Sequence, residues 1–360
     1  MGNRMAMLAR FAVLLPCTVL AGACTSVPAV RQAARPGQQA AGQTSRASHA
    51  GRAGTSRSSA LPRLVLQVRP APYRLPAAVS GEAVSADGHG LLVSGGLLAD
   101  QSSSGSVIRI DLRTGRSVVA GHLAMPVHDA ASAVLGGRLL VFGGGTFSSS
   151  AAVQRPSPGS GAVYGTLPAP RSDLLAVTQG TTAYLAGGHN SGTYARTVLA
   201  TTDGRHFRVV ARLPLPVRYP GVVATGTQLW IFGGLTPHGP VSAVQRVDLR
   251  TGRARLAGRL PHPLAAAAAF ALDGTIYVAG GLAAGSPARA GGSSQLVTSS
   301  AVLRFDQAGS SFSAAGTLPV PVAHAGVGVT SGVAYLVGGL DGSRTVGAVT
   351  TFQVIRRPVR

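Results

Sequence analysis

A strand-like apolar run closing on two glycines occurs six times in this chain, at Gly95-Gly96, Gly143-Gly144, Gly187-Gly188, Gly233-Gly234, Gly280-Gly281 and Gly338-Gly339. Each pair follows by twenty residues a leucine that opens a proline-containing turn: Leu75, Leu123, Leu167, Leu213, Leu260 and Leu318. Six identical spacings define a repeat, and repeats of this length are supersecondary units that bury their apolar faces only against each other. The distance from a diglycine to the next leucine varies from 24 to 38 residues. The constant half is therefore core strand, and the variable half includes surface loop.

The constant half reads as a hairpin. Turn-forming residues, such as Asp87-Gly88, Gly136-Gly137 and Asp273-Gly274, separate two apolar runs. Three residues before each diglycine stands a large side chain: Leu92, Leu140, Tyr184, Trp230, Tyr277 or Tyr335. A third strand follows each diglycine and often ends at an aspartate (Asp111, Asp203, Asp248, Asp306), whose side chain is expected to cap the turn. A fourth strand leads into the next leucine turn. Four antiparallel strands per repeat make one propeller blade, so the expected fold is all-β, a six-bladed β-propeller. The last repeat has a third strand, Ala348 to Val354, but no fourth, and the run Leu64 to Val68 lies where a fourth strand belongs. Pairing of these two would close the ring and remove its exposed edges.

The hairpins ending in diglycine resemble Kelch repeats, which also form the propeller of galactose oxidase. The resemblance covers residues 64–354 and implies that the glycines are structural, since Gly permits close backbone approach and unusual φ. Most repeats depart from the family by lacking its fourth-strand Trp; the chain's one Trp, Trp230, lies in a second strand.

The segment before the repeats has a different character. Arg4 and Arg10 precede or flank an uncharged stretch from Phe11 to Ala23, too short to span a bilayer and suited to a signal peptide. It ends in Leu20-Ala21-Gly22-Ala23-Cys24, which resembles a bacterial lipobox. Residues 1–23 are read as a lipoprotein signal peptide, Cys24 as the lipidation site, 24–62 as a disordered basic linker, and 63–360 as the propeller. The other cysteine, Cys17, would be lost on cleavage, leaving Cys24 unpaired, as lipidation requires. The expected location is outside the cytoplasmic membrane, anchored by acyl chains, or secreted if the cysteine is not acylated.

All 32 basic residues are Arg, which fits a GC-rich genome such as an actinobacterial one, and the net charge is +21. Residues 1–62 carry +7 and residues 63–360 carry +14. That surplus favours anionic surfaces. No nucleic-acid motif accompanies it, and an exported chain is not expected to meet nucleic acid.

In a propeller, the connections into strand one and out of strand two share a face around the central channel. The register places His128, Asp129, Arg171, Asp173, Arg218, Tyr219 and His324 there after the leucine turns, and His189, Asn190 and His238 after the diglycines. Glu82, the only Glu, lies near the same ring. Arg would suit a carboxylate or phosphate, and His or Asp could transfer protons. No metal or other cofactor is expected. The lack of Cys in 63–360 excludes a Cys–Tyr copper radical oxidase. Tyr73-Arg74-Leu75-Pro76 and Thr201-Thr202-Asp203-Gly204 resemble sialidase motifs, but Leu75-Pro76 is one of six scaffold turns and the second motif is neither complete nor repeated. Two functions remain open. One is a non-enzymatic scaffold for a protein or glycan at the cell surface. The other is a carbohydrate-active enzyme such as a sialic-acid mutarotase, less so a sialidase. Convergence of the candidate residues in a pocket favours the enzyme; a splayed open rim favours the scaffold.

Overall fold

The computed structural model describes residues 63–285 and 295–357. The signal peptide, Cys24, the linker and the middle of the Gly-rich insert between Ala283 and Ser299 lie outside the described residues. Within them the chain is all-β, with no helix.

Six antiparallel sheets, each with a four-stranded path, recur along the chain, here numbered 1–6; the third gains a short fifth strand, Thr193–Tyr194. Sheet 1 runs Ala83–Ala86, Gly90–Ser94, Ser106–Asp111, Ser117–His122, in spatial as in chain order. Sheets 2–5 repeat that order, with first strands Ala131–Leu135, Ser172–Gln179, Gly221–Thr225 and Ala268–Leu272. Sheet 6 takes Gly326–Thr330, Val333–Val337 and Ala348–Arg357 from the end of the chain and Arg63–Arg74 from its beginning. Leu64 faces Arg356 and Val68 faces Phe352, and the ladder continues to Pro70 and Thr350, longer than the sequence suggested.

The first strands pack on each other in chain order, and that of sheet 6 lies against that of sheet 1. The buried apolar side chains form six clusters, each drawn from two sheets. Leu92, Leu140, Tyr184, Trp230, Tyr277 and Tyr335 are all buried, one in each cluster. The six turn leucines are buried as well. No single sheet has a core of its own, which is why the leucine-to-diglycine spacing is constant: it sets where one sheet meets the next.

The diglycines form the backbone clasp between sheets. The second glycine donates its N–H to a carbonyl in the loop entering the following sheet, as from Gly96 to Val127 and from Gly339 to Val79, both 2.8 Å. The first glycine must be small. At Gly143, with φ 63°, a Cβ would lie 2.2 Å from the Arg171 carbonyl oxygen. The third-strand aspartates cap their turns as expected: Asp111 Oδ1 accepts from the N–H groups of Arg113 and Thr114 at 2.8 and 2.9 Å. Asp203 does the same for Arg205 and His206, so the sialidase-like motif there is spent on its own turn.

Candidate functional site

Six residues after each turn leucine, at the entry to each first strand, stands one residue with a left-handed backbone: Gly81, Asp129, Asp173, Tyr219, Ala266 and His324, with φ between 51° and 61°. Their amides are linked. Asp129 N–H donates to the Gly81 carbonyl, Asp173 to Asp129, Tyr219 to Asp173, Ala266 to Tyr219, His324 to Ala266, and Gly81 to His324, at 2.7–3.1 Å. The donations return to their start. The same six residues help line a cavity of about 530 Å³ that is bounded by the first strands of all six sheets.

A second regularity lies beside this ring. In every repeat the residue before the ring position is paired with the residue after the diglycine: Ser80 with Leu97, His128 with Gly145, Ser172 with His189, Arg218 with Leu235, Ala265 with Leu282, Ala323 with Leu340. The backbone therefore offers three equivalent side-chain sites per repeat. Sheets 2, 3 and 4 each place ionisable groups at two of the three, and sheets 1 and 5 have only small or aliphatic ones.

The polar groups converge. Asp173 is 4% exposed, and its Oδ2 lies 3.0 Å from Arg218 Nε and 3.2 Å from His189 Nδ1. Tyr219 donates its hydroxyl proton to Asp129 Oδ2 at 2.9 Å, and His128 Nε2 stands 3.8 Å from the same oxygen. The Tyr219 ring has the Arg218 guanidinium 4.7 Å from its centroid and the His324 ring, nearly perpendicular to it, at 4.5 Å. Ser103 Oγ holds His128 Nδ1 at 2.8 Å.

The two carboxyls have opposite tendencies. Burial, then the negative charge of Asp173, pushes Asp129 well above the usual carboxylate range. Burial also acts on Asp173, but His189 and the charge of Arg218 outweigh it and hold that carboxyl below its ordinary value. The site therefore favours the protonated form of Asp129 and the ionised form of Asp173. Desolvation lowers His324 to about 4 and also lowers His128, so both imidazoles are neutral. Tyr219 is raised well above 10, by burial first, and remains a phenol.

Other candidates lie elsewhere. Arg171 is 6% exposed and sits where the other repeats have Val79, Val127, Val217, Leu264 and Val322. Its guanidinium donates to the Thr197 carbonyl and Oγ1 at 3.1 and 2.7 Å, so it fills a core position and is not a ligand group at the mouth. Asn190 is at the turn end of a strand, opposite Thr193. His238 is exposed on the hairpin Leu235–Pro240, with its N–H given to Thr236 Oγ1. Glu82 is 5% exposed; Oε1 accepts from Gly326 N–H at 2.9 Å, tying sheet 1 to sheet 6. Sequence reasoning missed two aromatic neighbours. Tyr194 lies 5.8 Å from the His189 ring. Phe147 is 85% exposed, on a loop that Gly145 ties to His128 and Ser149 ties to the His189 carbonyl. No sequence repeat marks either one. Among the described residues no group of three or more His, Cys, Asp or Glu is placed to hold a metal ion.

No family model matches the sequence, and no curated protein sequence matches it. Among solved structures the chain is similar to YjhT, with a TM-score of 0.66 over 79% of this chain and 99% of that one, at 16% identity. The fold is a β-propeller. At such low identity the likeness concerns the fold alone, and the chemistry of this propeller must be argued from its own residues.

Proposed function

We propose that this propeller is a carbohydrate-active enzyme of the mutarotase kind, an acid–base catalyst that interconverts the anomers of a small sugar at the channel mouth. The observation that carries this reading is that two carboxyls, Asp129 and Asp173, line one cavity in surroundings that push them in opposite directions. Two carboxyls pushed apart in this way are the usual marks of a proton donor and a proton acceptor. Protonated Asp129 donates to the ring oxygen while ionised Asp173 takes the proton of the anomeric hydroxyl. The C1–O5 bond breaks, giving the open-chain aldehyde and leaving one proton moved from Asp129 to Asp173 in effect. Reclosure on the other carbonyl face returns it. Arg218 Nε and His189 Nδ1 stand beside Asp173 Oδ2 as charge partners, so Oδ1 is assigned this task. The test is exchange NMR of anomer interconversion with the full chain in detergent. Acceleration that vanishes in Asp129→Asn supports the reading; a rate equal to buffer across a panel of aldoses and sugar acids overturns it and returns the non-enzymatic scaffold for a protein or glycan to first place.

The rest of the reading concerns the frame and its location. The six sheets are taken as the blades of one closed, Kelch-type ring in residues 63–360. Its support is the returning circuit of ring hydrogen bonds, the six inter-sheet clusters and the diglycine repeat. The chain is taken as exported and membrane-anchored through Cys24, on the strength of the N-terminal sequence. Metabolic labelling with a fatty acid tests the anchor: Cys24→Ser should abolish incorporation, and labelling that persists in it disproves lipidation at that residue.

A further inference from the structure

We infer that the sugar taken at this mouth is uncharged, an aldose and not a sugar acid. This rests on the acid–base reading of the same site and narrows it. A basic chain of net charge +21 suggests at first an anionic substrate. The cavity contradicts that expectation. No residue lining it is an arginine, although the chain has 32. Two guanidiniums stand close to the ring, one hydrogen-bonded elsewhere and one charge-paired. Arg171 is bound to Thr197 inside its sheet. Arg218 lies 3.0 Å from Asp173 Oδ2. His189, the remaining group that could carry positive charge beside Asp173, faces that same oxygen at 3.2 Å.

Apart from ionised Asp173, the ring groups left to face a ligand are neutral. Tyr219 keeps its phenol proton, His324 is an uncharged imidazole, and Ala266 and Gly81 complete the ring. A substrate carboxylate entering here would leave water without gaining an unpaired cation, and would sit close to ionised Asp173. Burying a charge without a partner is far more costly than burying a hydroxyl that finds a hydrogen bond. Hydroxyls suit the site, because each can donate to Asp173 or a histidine nitrogen and accept from Asp129.

Matched pairs differing only at C6 test this: glucose against glucuronate, and galactose against galacturonate. The readouts are calorimetric binding and anomerisation rate on the full chain in detergent. The neutral member is expected to be preferred by at least about tenfold, given the cost of an unpaired charge in a desolvated site. Preference for the uronate, or for N-acetylneuraminate over both aldoses, overturns the inference while leaving the acid–base reading intact. Failure to bind or turn over any member overturns both. A second variant gives an independent check. Asp173→Asn removes the negative charge that occupies Arg218 and His189 but preserves shape. In binding, its preference should move toward the uronate; an unchanged ratio means that Arg218 was never neutralised and counts against the inference. Thermal unfolding of each variant confirms that a loss of binding is not a loss of fold.

Discussion

Asp173 and Ala266 hold the same place in two sheets. Each has a left-handed backbone, with φ of 60° and 52°, and each donates its amide to the neighbouring ring carbonyl at 2.8 or 2.9 Å. One is an ionised group at the centre of a polar cluster, and the other is a methyl group. The comparison shows that the unusual backbone belongs to the scaffold. Strained φ values often mark active sites, but here Ala266 bears the strain with no chemistry attached. The function lies in which repeats were given ionisable side chains on an identical frame. Sheets 2, 3 and 4 form a polar arc from His128 to Tyr219, and sheets 5 and 1, on either side of His324 in sheet 6, make a bland arc with Ala265, Ala266, Ser80 and Gly81.

The largest effect that would break this contrast is expected in the polar arc. Asp129→Asn or Asp173→Asn should lower anomerisation by about a hundredfold or more, as loss of a general acid or base does, with little change in melting temperature. Equal loss on changing Ala265 or Ala266 to serine would erase the distinction between the arcs.

The seam between sheets 6 and 1 should sharpen it through pH. Burial, opposed by the Gly326 N–H, raises Glu82 from 4.5 to about 8. Folding therefore favours the neutral carboxyl. The stability linked to Glu82 is fully present below about pH 4.5 and is lost as pH rises through about 8. Glu82→Gln keeps an acceptor for Gly326 and should flatten that decline by on the order of a few kcal/mol, with denaturant unfolding between pH 5 and 9 as the measurement. An unchanged slope would show that Glu82 is not the group responsible.

Two arginines give a smaller contrast. Arg171→Leu restores the apolar residue type of the other repeats and should change stability by only about 1–2 kcal/mol, leaving sugar binding intact. Arg218→Leu strips Asp173 of its cation, so Asp173 should lose its low pKa and the acidic limb of the pH–rate profile should move to higher pH. If both variants behave alike, the separation of core arginine from site arginine is wrong.

The smallest expected effect is at Ala266→Gly. Removing a Cβ from a left-handed position should raise stability by roughly 0.5–1 kcal/mol and leave activity unchanged. A drop in activity would mean that the bland arc takes part in the chemistry.

Most of the frame was legible in the chain because it is periodic. The offset from Leu123 to Asp129 is the offset from Leu260 to Ala266, so finding the register in one repeat located the ring in all six. The same logic placed His128, Asp129, Asp173, His189, Arg218, Tyr219 and His324 around one mouth. It failed at Arg171, where residue type suggested a ligand group. Position along the chain does not say whether a guanidinium turns to the cavity or to Thr197. It failed also at Phe147, which stands on a loop of variable length where the period has no hold.

The sequence by itself determined the repeat, the strand order and the positions where side chains reach the mouth, since these follow from spacing and from glycine's lack of a Cβ. Only the tertiary structure decided which charges are spent. Asp129 and Asp173 are the same residue type at the same offset, and nothing local separates them. Their protonation states diverge because Arg218 and His189 both meet Asp173, while Asp129 meets a phenol and a neutral imidazole, and those neighbours come from different repeats.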